Sequence, residues 1–239
     1  MRSIVVIPAL NEETHIPLLL EEILSLGNEA IDILVVDDQS TDQSASCVQN
    51  AARAAGAART ASVKLITNPW PEHGLAYCYK AGFEYALKNG YDAVICMDAD
   101  GSHDPLAIPR FLHSLVDADW VVGSRYIPQG SSKGLSFTRL LISRFANFYI
   151  GIKLKTGIRD MTSGFNCFKA DVLKRVDFLS IGSKGFVFQV EMKYRALMAG
   201  FVFKEMPIQF HHRYAGRSKF SLDIVFEAAF RLHKLKRLI

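Results

Sequence analysis

The residues of this chain best suited to chemistry are acidic groups that each follow a short apolar run. Asp98-Ala99-Asp100 follows VICM, Asp37-Asp38 follows ILVV, and Asn11-Glu12 follows the apolar segment that opens the chain. Two carboxylates one residue apart at a strand terminus can project to the same side and hold a hard divalent cation. Mg²⁺ or Mn²⁺ would take those oxygens together with the oxygens of a substrate phosphate. A bare Asp-x-Asp also reads as the start of a solvated turn, which His103 and Asp104 would continue. Its place after an apolar run, beside two other acidic run ends, favours the metal site.

Cations form the second group. Arg125 follows an apolar run, Arg139 and Arg144 lie in the helical segment after it, and Arg213 and Lys219 sit in RYAGRSK. A guanidinium suits bidentate phosphate contact, and an ammonium supplies a point charge. Taken singly, each also reads as a solvated surface cation. Gly216 and Ser218 make RYAGRSK resemble a loop able to close over phosphate. No Gly-x-Gly-x-x-Gly follows the first apolar run and no Gly-Lys-Ser/Thr occurs, which excludes a Rossmann dehydrogenase and a P-loop ATPase. A diphosphate here must be neutralised by metal and basic side chains. The histidines show no metal-like spacing, and there is no recognisable nucleophile–base triad.

The elements that must position these groups are legible in the first half. Ile4–Leu10, Ile31–Val36, Val63–Ile66 and Ala93–Met97 read as strands. Thr14–Leu26, an Ala-rich stretch capped by Thr41-Asp42 and running to about Ala55, and Leu75–Lys88 read as helices. The strand runs are apolar throughout, as expected of parallel strands buried on both faces. This alternation predicts an α/β fold: a single Rossmann-like, mostly parallel sheet flanked by helices, with ligands beyond the carboxyl ends of the strands. The second half is less regular. Trp120–Gly123 reads as a strand, Gly134–Lys153, Asp171–Val176 and Phe188–Met198 as helices, and Phe201–Phe210 as extended.

At 239 residues, with 49% hydrophobic and 22% charged residues, the chain suits one large domain and excludes a disordered tail. A net charge of +4 fits anionic substrates and is too small to argue for nucleic acid. Cys47, Cys78, Cys96 and Cys167 are too dispersed for a metal motif or disulfide framework. The N-terminus lacks the features of a signal peptide, and no window supplies the roughly 18 apolar residues of a spanning helix. Phe137–Ile152 and Phe220–Ile239, the latter ending in the basic HKLKR cluster, can each lie in a membrane interface or pack on the domain.

IPALNEE, VVDDQSTD, MDADGSHDP, GSRY, TSGF, KGFVFQVEM and RYAGRSK occur in the order found in family 2 glycosyltransferases of the GT-A fold. ISRFANF and SKGFVFQVEM make the chain similar, within that family, to the dolichol-phosphate (polyprenol monophosphate) mannose synthases. The resemblance runs from Ile4 to Lys219. It implies an inverting transfer of mannose from GDP-mannose to dolichyl or polyprenyl phosphate. It also implies a catalytic domain over residues 1–219 and an amphipathic basic helix over 220–239. By position it implies a nucleotide pocket from Pro8, Leu10, Glu12, Val36 and Asp38, with metal and diphosphate at Asp98, Ala99 and Asp100. Donor phosphate or sugar would meet Arg125, Arg213 and Lys219, the acceptor phosphate would meet Arg139 and Ser143, and Glu191 would lie near the sugar. The expected setting is the cytoplasmic face of a membrane, with peripheral attachment and a small membrane-anchoring subunit, unless spanning helices lie beyond the chain.

The sequence departs from the pattern at Leu10, where such enzymes often place Tyr, at Gln39 in place of Gly, and at Asn166 in place of Arg. These departures bear on donor base and sugar. UDP-glucose as donor, a polysaccharide hydroxyl as acceptor, and a silent nucleotide-sugar-binding subunit are the competing readings.

Overall fold

A computed structural model describes residues 1–27, 31–58, 61–133 and 135–211. Its centre is a seven-stranded sheet in the order β3-β2-β1-β4-β6-β5-β7. The strands are β1 (Ser3–Ala9), β2 (Ile31–Asp37), β3 (Val63–Thr67), β4 (Ala93–Cys96), β5 (Trp120–Ser124), β6 (Asn166–Lys169) and β7 (Phe203–Pro207). β1 to β4 are parallel, and β7 is parallel to β5. β6 runs antiparallel to both of its neighbours, β4 and β5.

Successive residues of β1 point to opposite faces. Ile4 and Val6 join a core with residues of α3 (Leu75–Lys88), α5 (Phe137–Leu154), α6 (Ala170–Val176) and α7 (Gly185–Met198). Val5 and Ile7 join a second core with residues of α1 (Ile16–Leu24), α2 (Ser44–Ala58) and α4 (Ile108–Ser114). Burial on both faces is why the strands read as unbroken apolar runs. α3 crosses β1 at Gly82, where an added Cβ would lie 2.3 Å from a Val6 methyl.

The predicted α/β class and first-half order are found, with helix ends moved by a few residues. α1 is shorter than predicted, starting only at Ile16, and α2 begins at Ser44 and runs on to Ala58. Two elements were not anticipated: α4 and the antiparallel β6. β6 is four residues long, and its NCFK sequence gives no alternation that would announce a strand. It matters because an antiparallel strand starts where its parallel neighbours end. Asn166 pairs with Cys96, so the chain entering β6 lies at the carboxyl edge of β4. All four cysteines are free.

Candidate active site

The carboxyl ends of β1, β2 and β4 bring their acidic residues to one edge. The Asp38 amide donates to the Ala9 carbonyl (2.8 Å), joining the ends of β1 and β2. Its buried carboxylate accepts from Asn68 Nδ2 (2.7 Å) and the Gly74 amide (2.7 Å), and pairs with His73 Nδ1 (3.3 Å). Asp38 therefore braces the loop between β3 and α3. Glu12 pairs with His15 Nδ1 (3.0 Å) and donates its amide to Ser44 Oγ (2.7 Å). Asn11 and Gln39, which follow β1 and β2, have left-handed backbones with φ of 58° and 63°. Asn tolerates that region better than Gln.

Beyond β4, the Asp98 carboxylate is partly exposed and that of Asp100 is buried. The Asp98 amide donates to His103 Nδ1 (3.1 Å), and Tyr79 Oη lies 3.4 Å from Asp98 Oδ1. Burial, and then the nearby Asp98 charge, hold the Tyr79 phenol well above its ordinary pKa, so it stays a neutral donor. Asp100 accepts from the Ser102 amide (3.1 Å). His103 stacks on Phe165, with centroids 4.9 Å apart. Among the described residues, no three His, Cys, Asp or Glu side chains cluster to hold a metal. Two carboxylates fit Mg²⁺ or Mn²⁺ only if a bound diphosphate and water complete the oxygen shell, an arrangement these hard cations accept.

The segment entering β6 lies against this edge. An added Cβ on Gly164 would sit 3.2 Å from Asp98 Oδ2 and 3.4 Å from Oδ1. The residues from Asp160 to Ser163 are gripped from three directions, by Arg125, Asn147 and Lys193. Arg125 Nε and Nη2 donate to the two Asp160 oxygens, both at 2.7 Å, and Nη2 also donates to Thr162 Oγ1. Asp160 is fully buried. Burial pushes its pKa up, but the Arg125 charge and hydrogen bonds prevail and hold it down. Asn147 of α5 donates Nδ2 to Thr162 Oγ1 (2.9 Å) and accepts from the Thr162 amide (3.2 Å). Lys193 of α7 donates Nζ to the carbonyls of Met161 (3.0 Å) and Ser163 (2.6 Å).

α5 links this strap to the surface. Tyr126 donates its hydroxyl to Ser143 Oγ (2.7 Å), and the Arg125 and Arg144 guanidiniums lie 5.1 and 5.8 Å from its ring centroid. Asn147, Ile150 and Leu154 face inward. Phe137, Leu141, Phe145, Phe148 and Ile152 recur every three or four residues and are 53–74% exposed. At helical spacing they form one uncovered apolar row.

A family profile described as "Glycosyl transferase family 2" matches residues 4–177. Polyprenol monophosphomannose synthase of Mycolicibacterium smegmatis is 35% identical over 97% of this chain and 85% of that protein. Undecaprenyl-phosphate mannosyltransferase of Micrococcus luteus is 38% identical over 95% of this chain and 91% of that protein. The chain belongs to glycosyl transferase family 2. Within the family, this glycosyltransferase groups with those two relatives. Glucosyl-3-phosphoglycerate synthase of Mycobacterium tuberculosis, crystallised with Mg²⁺ and uridine diphosphate, matches its fold with a TM-score of 0.68 at 19% identity. That match covers 98% of this chain and 79% of the other, and it supports the GT-A fold.

In this glycosyltransferase the predicted residues divide into five groups. Pro8, Leu10, Glu12, Asp38, Asp98 and Asp100 all lie at or just beyond the carboxyl ends of β1, β2 and β4. Val36 and Ala99 have side chains buried in the core, which leaves main-chain atoms as what they can offer a nucleotide. Arg139 is exposed one turn before Ser143. Arg125 and Glu191 are committed to protein partners. Arg125 forms the buried pair with Asp160. Glu191 accepts from Ser183 Oγ and from Arg195 Nε (3.0 Å) and Nη2 (2.6 Å). Arg213, Lys219 and the segment 220–239, predicted to be a helix, lie outside the described residues.

Sequence reading missed Tyr126, Asn147, Asp160, Thr162 and Lys193. Tyr126 stands inside the GSRY motif and Asp160 shortly before TSGF, so a search of the motif flanks would have found both. Lys193 carried no signal, because a lysine in a helix reads as solvated.

Proposed function

We propose that the chain is an inverting transferase that moves mannose from GDP-mannose to dolichyl or polyprenyl phosphate. The observation that carries this reading is α5. One helix bears an exposed apolar row suited to a lipid and also Ser143, which is hydrogen-bonded to Tyr126 beside the Arg125–Asp160 pair. The names of the two curated relatives support the same donor sugar and acceptor class. No described helix is long and apolar enough to cross a membrane, so α5 would meet lipid from the surface, with any anchoring subunit as an additional contact.

A phosphate monoester suits this site as nucleophile. Its second ionisation falls near pKa ~6, so at neutral pH it is mostly dianionic and needs no strong base. Among the described residues the site offers no poised base either, since Glu191 is already held by Arg195 and Ser183. That argues against a sugar-hydroxyl acceptor. In the proposed step an acceptor phosphate oxygen attacks the anomeric carbon. The bond from that carbon to the diphosphate breaks, and GDP leaves with the electron pair, giving a β-linked product from an α-linked donor. Asp98 and Asp100 would hold Mg²⁺ or Mn²⁺, which when bound offsets the charge building on the leaving diphosphate. Arg139 and Ser143 would orient the acceptor phosphate.

The test supplies purified protein with Mg²⁺ or Mn²⁺, polyprenyl phosphate in detergent and a panel of radiolabelled nucleotide sugars. Lipid-extractable label from GDP-mannose is the expected result. Label from UDP-glucose alone would replace the donor, and folded protein giving no lipid label from any donor would overturn the reading.

A further inference from the structure

Lys193 is fully buried in the middle of α7 and, among the described residues, has no carboxylate within ion-pair distance. Burying an ammonium is costly unless its protons are well used. Burial pushes the Lys193 pKa down to about 7, against the opposing pull of Asp160. The Arg125 guanidinium adds to the downward push, while Cys96 and Glu205 act upward. An apolar side chain of similar length would fill the same space without that cost. What the amine does instead is specific. It grips Met161 and Ser163, alternate carbonyls of the strap whose next residue, Gly164, abuts both oxygens of Asp98.

The strap is fixed at its start by Arg125 and at its centre by Asn147. At Ser163, directly before the contact with Asp98, its carbonyl is held by Lys193 and by Asn166 Nδ2 (3.0 Å). Outer groups that fix the orientation of a metal-binding carboxylate act on metal affinity without touching the ion. We propose that Lys193 is a positioning residue for transfer, holding Gly164 against Asp98 and so fixing the direction in which that carboxylate meets the metal and donor diphosphate. This rests on the proposed reading of Asp98 and Asp100 as the metal pair.

The experiment measures calorimetric binding of GDP to the full chain, with and without Mn²⁺, for wild type and Lys193→Met. Metal-free affinity should change less than twofold, while the gain in affinity that Mn²⁺ confers should fall about tenfold or more. In transfer assays kcat should fall and the KM for polyprenyl phosphate should stay within about twofold, because the α5 contacts are untouched. A purely packing role predicts the wild-type Mn²⁺ gain in folded Lys193→Met, and that result overturns the proposal. Gly164→Ala probes the same contact from the other side with Lys193 intact and should lower the Mn²⁺ gain likewise. A full gain in that variant also overturns it. Wild type with no Mn²⁺ gain would remove the metal reading itself, and this inference with it.

Discussion

The two sides of the sheet handle charge in opposite ways. On the β1–β4 side, carboxylates stand at the ends of three parallel strands, β1, β2 and β4, and Asp98 is left partly open to solvent. On the β5–β7 side, the buried charges near the site are consumed internally: Arg125 by Asp160, Glu191 by Arg195, and Lys193 by two carbonyls. In the proposed reading the first side receives a cation and the phosphates it neutralises. The second spends its buried charges on holding a strap and presents an apolar helix row outward. In that reading electrostatics dominate on one side, and the other adds hydrophobic contact with a lipid.

The sharpest way to break this contrast is Asp100→Asn. It should lower transfer by about 10³-fold or more, with circular dichroism and thermal midpoint near wild type, since the replacement keeps size and shape. Near-normal turnover would remove the acidic side from the chemistry. The next largest effect falls on the other side. Arg125→Met leaves Asp160 buried without its partner and should cost about 3–5 kcal/mol in denaturant unfolding. Arg125→Met with Asp160→Leu should recover most of that stability without recovering activity. Full recovery of activity in the double variant would show that the pair only supports the fold.

Phe145→Ser with Phe148→Ser should change stability by less than about 1 kcal/mol, because both side chains are exposed. The same change should weaken binding to anionic vesicles and raise the KM for polyprenyl phosphate about tenfold, with GDP binding unchanged. Unaltered vesicle binding would assign the row to something other than lipid. The smallest effect is expected at Gln39. With φ at 63°, Gln39→Gly should raise unfolding stability by about 1 kcal/mol, the strain of a non-glycine residue in that region less the entropy that glycine loses on folding. A loss of stability would mean that the Gln39 side chain makes up for its strained backbone.

The contrast also explains what could be read in advance. On the β1–β4 side, periodicity and strand-end carboxylates were enough, because the chain there alternates strand and helix and each predicted site residue lies at or just beyond the end of its strand. On the other side, motif matches named Arg125, Ser143 and Glu191 and assigned them to substrate, but not to the protein groups they touch. The Arg125–Asp160 pair spans 35 residues and the Lys193 contacts 30 and 32, separations at which no local pattern operates.

The sequence by itself determined the α/β class, the parallel half of the sheet, the edge at which the acidic residues gather, and the family. These follow from local composition, since buried parallel strands must be apolar and ligand groups must come after them. Only the tertiary structure decided that β6 enters antiparallel between β4 and β5, which carries Asp160–Gly164 to Asp98. Only there does Lys193 prove to be a buried clamp instead of a surface charge, because which groups share a low-dielectric interior is set by packing across the chain and not by neighbours along it.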